Sequence, residues 1–311
     1  MQDSYIYDVA IIGAGMAGLT AAIYAARANK SVIVLEGKTH GGQIITSHKI
    51  ANYPGIPSVS GVDLMNNVYE QAKKLGAVIE YEEVLGAELD GKIKVIHTED
   101  DSDIKSFDSD VYAASVIIAV GAHERKLGLE NEETLTGHGI SYCATCDGGF
   151  YKNKPVAVVG GGNSALYEAI YLSDIASKVY IVQHRSVFHG DAILVDKLRE
   201  KENVEFVMDS TPIKYIGEKK VEGLVVENSE HERRELVVDG IFVAIGRVPA
   251  TEIFNGQIEL ENGYIKADED CHTSISGVFV AGDCRTKSVR QLITAASDGA
   301  VAATAAVEYL K

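Results

Sequence analysis

The sequence predicts an α/β fold of two three-layer domains, the second inserted into the first. Three observations carry that expectation. One strand, turn, helix, strand pattern occurs twice, a Gly-x-Gly run marks the turn of each copy, and further β-branched runs surround the second copy. A chain of 311 residues is long enough for two domains that each bury a core.

The first copy, VAIIGAGMAGLTAAIYAARANKSVIVLE from Val9 to Glu36, matches VAVVGGGNSALYEAIYLSDIASKVYIVQ from Val156 to Gln183 without a gap. The opening runs are short, β-branched and bounded by glycine, as buried parallel strands are. Gly13 and Gly160 allow a tight turn, and Gly15 and Gly162 let the backbone approach a pyrophosphate. Gly18 and Ala165 let the helix pack closely on its strand, and Asn163 and Ser164 open the second helix. Phosphates then face a helix N-terminus in each copy. Both domains are therefore expected to be Rossmann-like and dinucleotide-binding.

The copies end differently. The first closes on Glu36, whereas the second reaches Gln183 and continues into His184 and Arg185. An acid accepts hydrogen bonds from ribose hydroxyls, while a cation meets a 2′-phosphate. Copy one thus suits an unphosphorylated adenosine and copy two suits NADP(H).

A strand is expected at Val116 to Val120, and Gly121 could end one domain. Hairpin-like alternation follows copy two at Val221 to Val226 and Leu236 to Val243, then Gly246 and Pro249. A return to the first domain near Gly246 gives the inserted arrangement.

The formal charge of -16, with 45 acidic against 29 basic residues, excludes a phosphate-backbone partner. Nucleic acid is not expected. The acidic run from Glu99 to Asp103 reads as a solvated turn. Met1 to Asp8 lacks the basic start and cleavage site of a signal peptide, so a cytoplasmic protein is expected. The apolar C-terminal segment is broken by Asp298 and Glu308, which excludes a membrane span.

Four cysteines do not make a disulfide scaffold in a chain of this size. Cys143-Ala144-Thr145-Cys146-Asp147 stands just before copy two. Its two-residue spacer brings two Cα atoms within disulfide range if a helix begins there, and a helix N-terminus raises the thiolate fraction. Asp147 is the candidate proton donor or acceptor for exchange. Zinc would need four ligands, and no second Cys-x-x-Cys or paired His motif is present, so no metal is expected. Cys271 and Cys284 read as buried small hydrophobes.

With two dinucleotide folds and a Cys-x-x-Cys between them, the chain resembles the low-molecular-weight, bacterial-type thioredoxin reductases over nearly its full length. These belong to the pyridine nucleotide-disulfide oxidoreductases. The residues that carry the resemblance are Gly41-Gly42-Gln43, Asn52-Tyr53-Pro54-Gly55, Ser141 to Asp147, Gly160 to Ala165 and Ala281-Gly282-Asp283. It implies an FAD-binding domain at 1–121 and 247–311, and an NAD(P)H-binding domain with the dithiol at 122–246. It implies that Asp283, after Gly282, holds the ribityl chain of FAD. Gln43, after Gly42, and Asn52 would line the isoalloxazine, and Arg290-Gln291 would start a helix aimed at the flavin pyrimidine.

The implied reaction is hydride transfer from NADPH to FAD, reduction of the Cys143–Cys146 disulfide, and exchange with thioredoxin or a similar protein disulfide. Cys143 would face the partner and Cys146 the flavin. The family also implies a homodimer whose second domain rotates near Gly121 and Gly246. One departure stands out: the family's phosphate loop continues into further arginines, whereas this chain reads His184-Arg185-Ser186-Val187-Phe188-His189. NADH or ferredoxin as electron source therefore stays open. Rival readings are a same-fold dithiol oxidase and a flavin-binding redox sensor.

Overall fold

The computed structural model describes residues 5–37, 40–47, 49–99 and 109–311. The acidic run at Glu99 to Asp103 lies outside them from its second residue, as do the first four residues of the chain.

The first copy folds as β1 (Ile6–Ile12), α1 (Met16–Arg27) and β2 (Val32–Leu35). Val9, Ala10, Ile11 and Ile12 are all buried, because a central parallel strand is covered on both faces. Next come α2 (Gly61–Lys74), β3 (Val78–Glu80), β4 (Val84–Glu88), β5 (Lys94–Thr98) and β6 (Ser109–Ile118). Ser60 starts α2 by accepting the Asp63 N–H on its hydroxyl at 3.0 Å, a side-chain N-cap. The sheet runs β3-β2-β1-β6-β5-β4, parallel from β3 to β6 and antiparallel beyond.

The chain divides into two compact units, Met1–His123 with Val248–Lys311, and Glu124–Arg247. The segments β7 (Ala122–Glu124) and, later, β16 (Arg247–Pro249) mark the two crossings. The second unit holds α3 (Glu132–Leu135), β8 (Ile140–Ser141), α4 (Ala144–Asp147), β9 (Pro155–Val159) and α5 (Asn163–Ser173). It continues through β10 (Lys178–Val182), α6 (Ala192–Arg199), β11 (Val204–Val207), β12 (Ser210–Ile216), β13 (Gly223–Asn228), β14 (Arg233–Val237) and β15 (Gly240–Val243). Five of these strands form a parallel sheet, β11-β10-β9-β15-β8, and β12-β13-β14 form an antiparallel meander.

Returning to the first unit, β17 (Leu260–Glu261) and β18 (Tyr264–Ile265) pair antiparallel. Then β19 (Val278–Val280) joins β6 in parallel, and α7 (Leu292–Tyr309) follows. Each unit has three layers, read directly from side-chain alternation along its central strand. Val9 and Ile11 of β1 pack with α1 and α7, while Ala10 and Ile12 pack with Phe254 and Ile258 on the other face. Val156 and Val158 of β9 pack under α5, while Ala157 and Val159 meet Leu224 and Leu236 of the meander. Each valine, leucine, isoleucine or phenylalanine among them contributes roughly 1.5–3 kcal/mol on burial. The expected fold class, two Rossmann-like three-layer domains with the second inserted, is the one observed.

Three sequence boundaries shift. The expected strand at Val116 to Val120 is the longer β6, which ends at Ile118. Leu236 to Val243 is not one arm of a hairpin. The chain leaves the meander at Val237, the Asp239 N–H bonds to the Pro155 carbonyl, and β15 enters the parallel sheet. Periodicity runs on through this change of layer because Leu236, Val238 and Ile241 all enter one core. The Val221 to Val226 alternation begins as a strand only at Gly223, since the Val221 N–H bonds to the His138 carbonyl. Among the described residues no helix is long and apolar enough to cross a membrane.

Candidate active site

In the first unit, Gly13 follows β1 where strand order reverses between β2 and β6, the place where open α/β sheets bind ligands. Its φ is +107°, and a Cβ there would run into the carbonyl of Ala119 beyond β6. A Cβ on Gly18 would overlap the Gly13 carbonyl, so α1 lies tight on the turn. Gly15 is the N-cap of α1, no side chain caps it, and a Cβ there would meet nothing within 4 Å. That combination leaves the helix N-terminus open to an anion.

Glu36 turns back on this loop. Its carboxylate accepts the Ala14 N–H at 2.7 Å and the Gly37 N–H at 3.0 Å. Each oxygen keeps a lone pair for a hydroxyl donor. Gly41 donates its N–H to the Ala14 carbonyl at 2.8 Å, which brings Gly42 beside Gly15. Gln43, in the following turn, donates its side-chain amide to the Ala122 carbonyl.

Gly282 sits against Ala17 of α1 and begins the turn that carries Asp283. Arg290 ties this turn down by donating to the Asp283 carbonyl at 3.3 Å, with its guanidinium 4.1 Å over the Tyr264 ring. Gln291 caps α7 through a reciprocal pair with Thr294, and its side-chain oxygen accepts from Asn52 at 3.3 Å. Beneath the turn, buried Asp298 accepts from Gly282 N–H at 3.0 Å, from Arg285 at 2.9 and 3.0 Å, and from Lys287 at 2.7 Å. Burial raises the Asp298 carboxyl, yet the Arg285 and Lys287 hydrogen bonds outweigh it and hold the group below the usual carboxylate range.

The second unit repeats the cradle. A Cβ on Gly160 would overlap the Ala244 carbonyl beyond β15, as Gly13 does with Ala119, and Ala165 packs against it. Gly162, the uncapped N-cap of α5, faces open space. Asn163 is engaged sideways, accepting the Asp191 N–H at 2.7 Å and donating to its carboxylate at 3.2 Å, and Ser164 is exposed. Gln183 is buried, donates to the Val187 carbonyl at 3.0 Å, and fills the space a Cβ on Gly161 would take. Arg185 lies exposed between two histidines, donating to His184 Nε2 at 3.2 Å and to His189 Nε2.

Cys143 and Cys146 form a disulfide, with Cα atoms 5.3 Å apart. A helix does begin there: Cys143 is the N-cap of α4, and its carbonyl accepts from Cys146 and Asp147 N–H groups at 3.2 and 3.1 Å. It is a single turn, so the positive end rests on a few local N–H groups rather than a long aligned dipole. Cys143 is half-buried and Cys146 exposed. Burial raises the Asp147 carboxyl, and the Ser141 hydroxyl, donating at 2.7 Å, partly opposes it. The same Ser141 oxygen accepts the Cys143 N–H at 3.1 Å. Tyr142 is anchored to Glu132 at 2.9 Å, and Glu132 also accepts the N–H groups of Leu127 and Gly128. Cys271 and Cys284 are buried thiols outside the disulfide, both pushed up to about 12 by burial.

Sequence reasoning missed Asp298, the second service of Ser141, and His189 as a companion of Arg185. It also passed over Glu168 of α5, whose Oε2 is buried without a hydrogen-bond partner. Only His189 carried a local signal, since it closes the loop that Arg185 opens.

The pyridine nucleotide-disulphide oxidoreductase family model matches residues 7–300. The chain is 42% identical over 315 aligned residues to the thioredoxin reductase of Peptoclostridium acidaminophilum, covering 98% of each. It is 41% identical to that of Bacillus subtilis, covering all of this chain and 97% of the relative. Among solved structures, thioredoxin reductase from Streptococcus pyogenes matches with a TM-score of 0.91 and 39% identity, over 98% of each chain.

Proposed function

This chain belongs to the pyridine nucleotide-disulphide oxidoreductase family, and from that premise we propose that it is a thioredoxin reductase drawing electrons from NADPH through FAD. The observation that carries the proposal is the Cys143–Cys146 disulfide at the start of a helical turn, beside a carboxyl whose proton affinity burial has raised.

The first unit suits FAD. Gly15 leaves room for a pyrophosphate, Glu36 offers lone pairs for ribose hydroxyls, and the Asp283 turn is held by Arg290. Gln43 and Asn52 supply amides for a polar ring edge, and Gln291 opens the positive end of α7 toward them. Bound there, the flavin would accept a hydride and deliver two electrons to the disulfide. The second unit suits NADPH, with Gly160, Gly162, Asn163, Ser164 and Ala165 at the pyrophosphate and His184 and Arg185 at the 2′-phosphate.

The chain's own residues then carry the exchange. Once the pair is reduced, Cys143 thiolate attacks one sulfur of the partner disulfide and expels the other as a thiolate. Cys146 next attacks Cys143, which releases the partner's second sulfur and restores the Cys143–Cys146 bond. Asp147 gives a proton to the departing sulfur. Gly121 and Gly246, both at positive φ, are the proposed hinge neighbours. The protein is read as a cytoplasmic homodimer, in line with the resemblance.

A Cys146→Ser variant tests the assignment, because it should trap thioredoxin on Cys143 as a stable mixed disulfide. Capture through Cys146 alone, in a Cys143→Ser variant, would reverse the two roles. NADH is the second reading, and it rests on the two histidines that stand beside Arg185.

A further inference from the structure

Thr145 stands between the two cysteines, as the second residue of the turn that Cys143 starts. Its Oγ1 is 3.4 Å from Cys143 Sγ, and because a disulfide sulfur carries no hydrogen, the hydroxyl is the donor. Local bonds hold the two atoms in this relation. The Cys143 N–H donates to Ser141 Oγ at 3.1 Å, and the Cys143 carbonyl accepts from the Cys146 and Asp147 N–H groups at 3.2 and 3.1 Å, which closes the turn around Thr145. A disulfide sulfur is a weak acceptor and a thiolate a strong one, so the contact gains strength as charge develops on Cys143.

We propose that Thr145 is a catalytic residue of the exchange, its hydroxyl stabilising the Cys143 thiolate through a hydrogen bond that is aimed in advance by the turn. The inference rests on the reading above in which Cys143 is the sulfur that attacks the partner.

The bond serves the exchange in both directions. When Cys143 attacks, its thiolate bonds to one partner sulfur, the partner S–S bond breaks, and the other partner sulfur leaves with the electron pair and takes up a proton. The hydroxyl raises the share of Cys143 that is thiolate beforehand. When a dithiol such as dithiothreitol reduces the pair, its thiolate bonds to the exposed Cys146, the Cys143–Cys146 bond breaks, and Cys143 leaves with the electron pair beside the Thr145 hydroxyl. The second dithiothreitol sulfur then displaces Cys146, so the reagent ends as a cyclic disulfide and both cysteines as thiols. A leaving thiolate of lower pKa departs faster.

The ionisable groups on this turn and on the elements packed against it are Asp147, Tyr142, Tyr151, and Tyr167, Glu168 and Tyr171 of α5. Substitution at Thr145 leaves all of them in the chain. A comparison of Thr145→Val with Thr145→Ser therefore reads the hydroxyl, because valine keeps the branched shape and serine keeps the donor.

The test reduces the flavin-loaded protein with dithiothreitol, removes the reagent without oxygen, and alkylates with iodoacetamide between about pH 5 and 10, a range that spans shifted and ordinary thiols. Peptide masses give separate rates for Cys143 and Cys146. The midpoint of each profile is the readout, because a more basic thiolate is also a better nucleophile and partly masks its own scarcity at any one pH. Thr145→Val should move the Cys143 midpoint up by about half a unit, roughly threefold less thiolate below it, and Thr145→Ser should restore the wild-type midpoint. At neutral pH, kcat/KM for oxidised thioredoxin should fall about twofold in Thr145→Val. A Cys143 midpoint that Thr145→Val leaves unmoved, or that Thr145→Ser moves as far as Thr145→Val does, would overturn the proposal. A shift confined to Cys146 would overturn it as well. If the Cys143 midpoint moves as expected but thioredoxin is captured only by Cys146, the contact with the thiolate stands and the reading that gives Cys143 the partner fails.

Discussion

Ser141 donates its hydroxyl to Asp147 Oδ2 at 2.7 Å while its oxygen accepts the Cys143 N–H at 3.1 Å, so one side chain fixes both the proton carrier and the first cysteine. β8 delivers Ser141 from the parallel sheet, which makes the placement rigid. Asp147→Asn should lower turnover with a disulfide substrate by roughly 10²-fold or more, the usual scale for a lost general acid. Steady-state kinetics with the oxidised partner reads it.

Ser141→Ala should act through pH. Burial holds the Asp147 proton on and Ser141 favours the carboxylate, so removing Ser141 raises the carboxyl further. The limb in which activity falls with rising pH should move to higher pH. An unmoved limb would mean that another group supplies the proton.

The loop at 184–189 predicts cofactor choice. Arg185 donates to both His184 and His189. Arg185→Ala should reduce the preference for NADPH by about tenfold or more, equivalent to one charged hydrogen bond.

Asp298 should act on stability. Its folded carboxyl lies below the ordinary range, so its contribution is present above the unfolded pKa and is lost as pH falls through the folded value. Asp298→Ala leaves Arg285 and Lys287 buried beside no carboxylate and should cost about 3–5 kcal/mol. Urea unfolding at neutral pH measures this. The difference from wild type should shrink in acid, and flavin should be lost more readily because the Gly282 turn loses its anchor.

Gly13→Ala should weaken the first unit by about 1–3 kcal/mol, since the position combines positive φ with a carbonyl where the methyl would go. Flavin content and thermal midpoint both report it. Gly160→Ala tests the equivalent contact with Ala244 in the second unit.

What the sequence revealed was local, and what it hid was set by packing. Gly13, Gly15 and Gly18 follow a strand at fixed spacing, and the reasons for glycine there are contained in one turn. The Cys143–Cys146 spacing also carries its own geometry. By contrast, Gly161 is glycine because Gln183 folds back over it, and Gln183 lies at the far end of the repeat. Gly148 looks like any turn glycine until the fold lays it against Tyr171 and Leu172 of α5. The break between β14 and β15 was hidden because both strands turn apolar residues into one core.

The central claim is that NADPH electrons leave this protein through Cys143 and Cys146 to thioredoxin. The most direct measurement is anaerobic stopped-flow of the flavin-loaded protein, mixed with NADPH and then with oxidised thioredoxin. The flavin should bleach rapidly with NADPH and regain colour on adding thioredoxin, and Cys143→Ser should lose only that recovery. Bleaching only by ferredoxin or a small dithiol, or recovery that persists in Cys143→Ser, would contradict it.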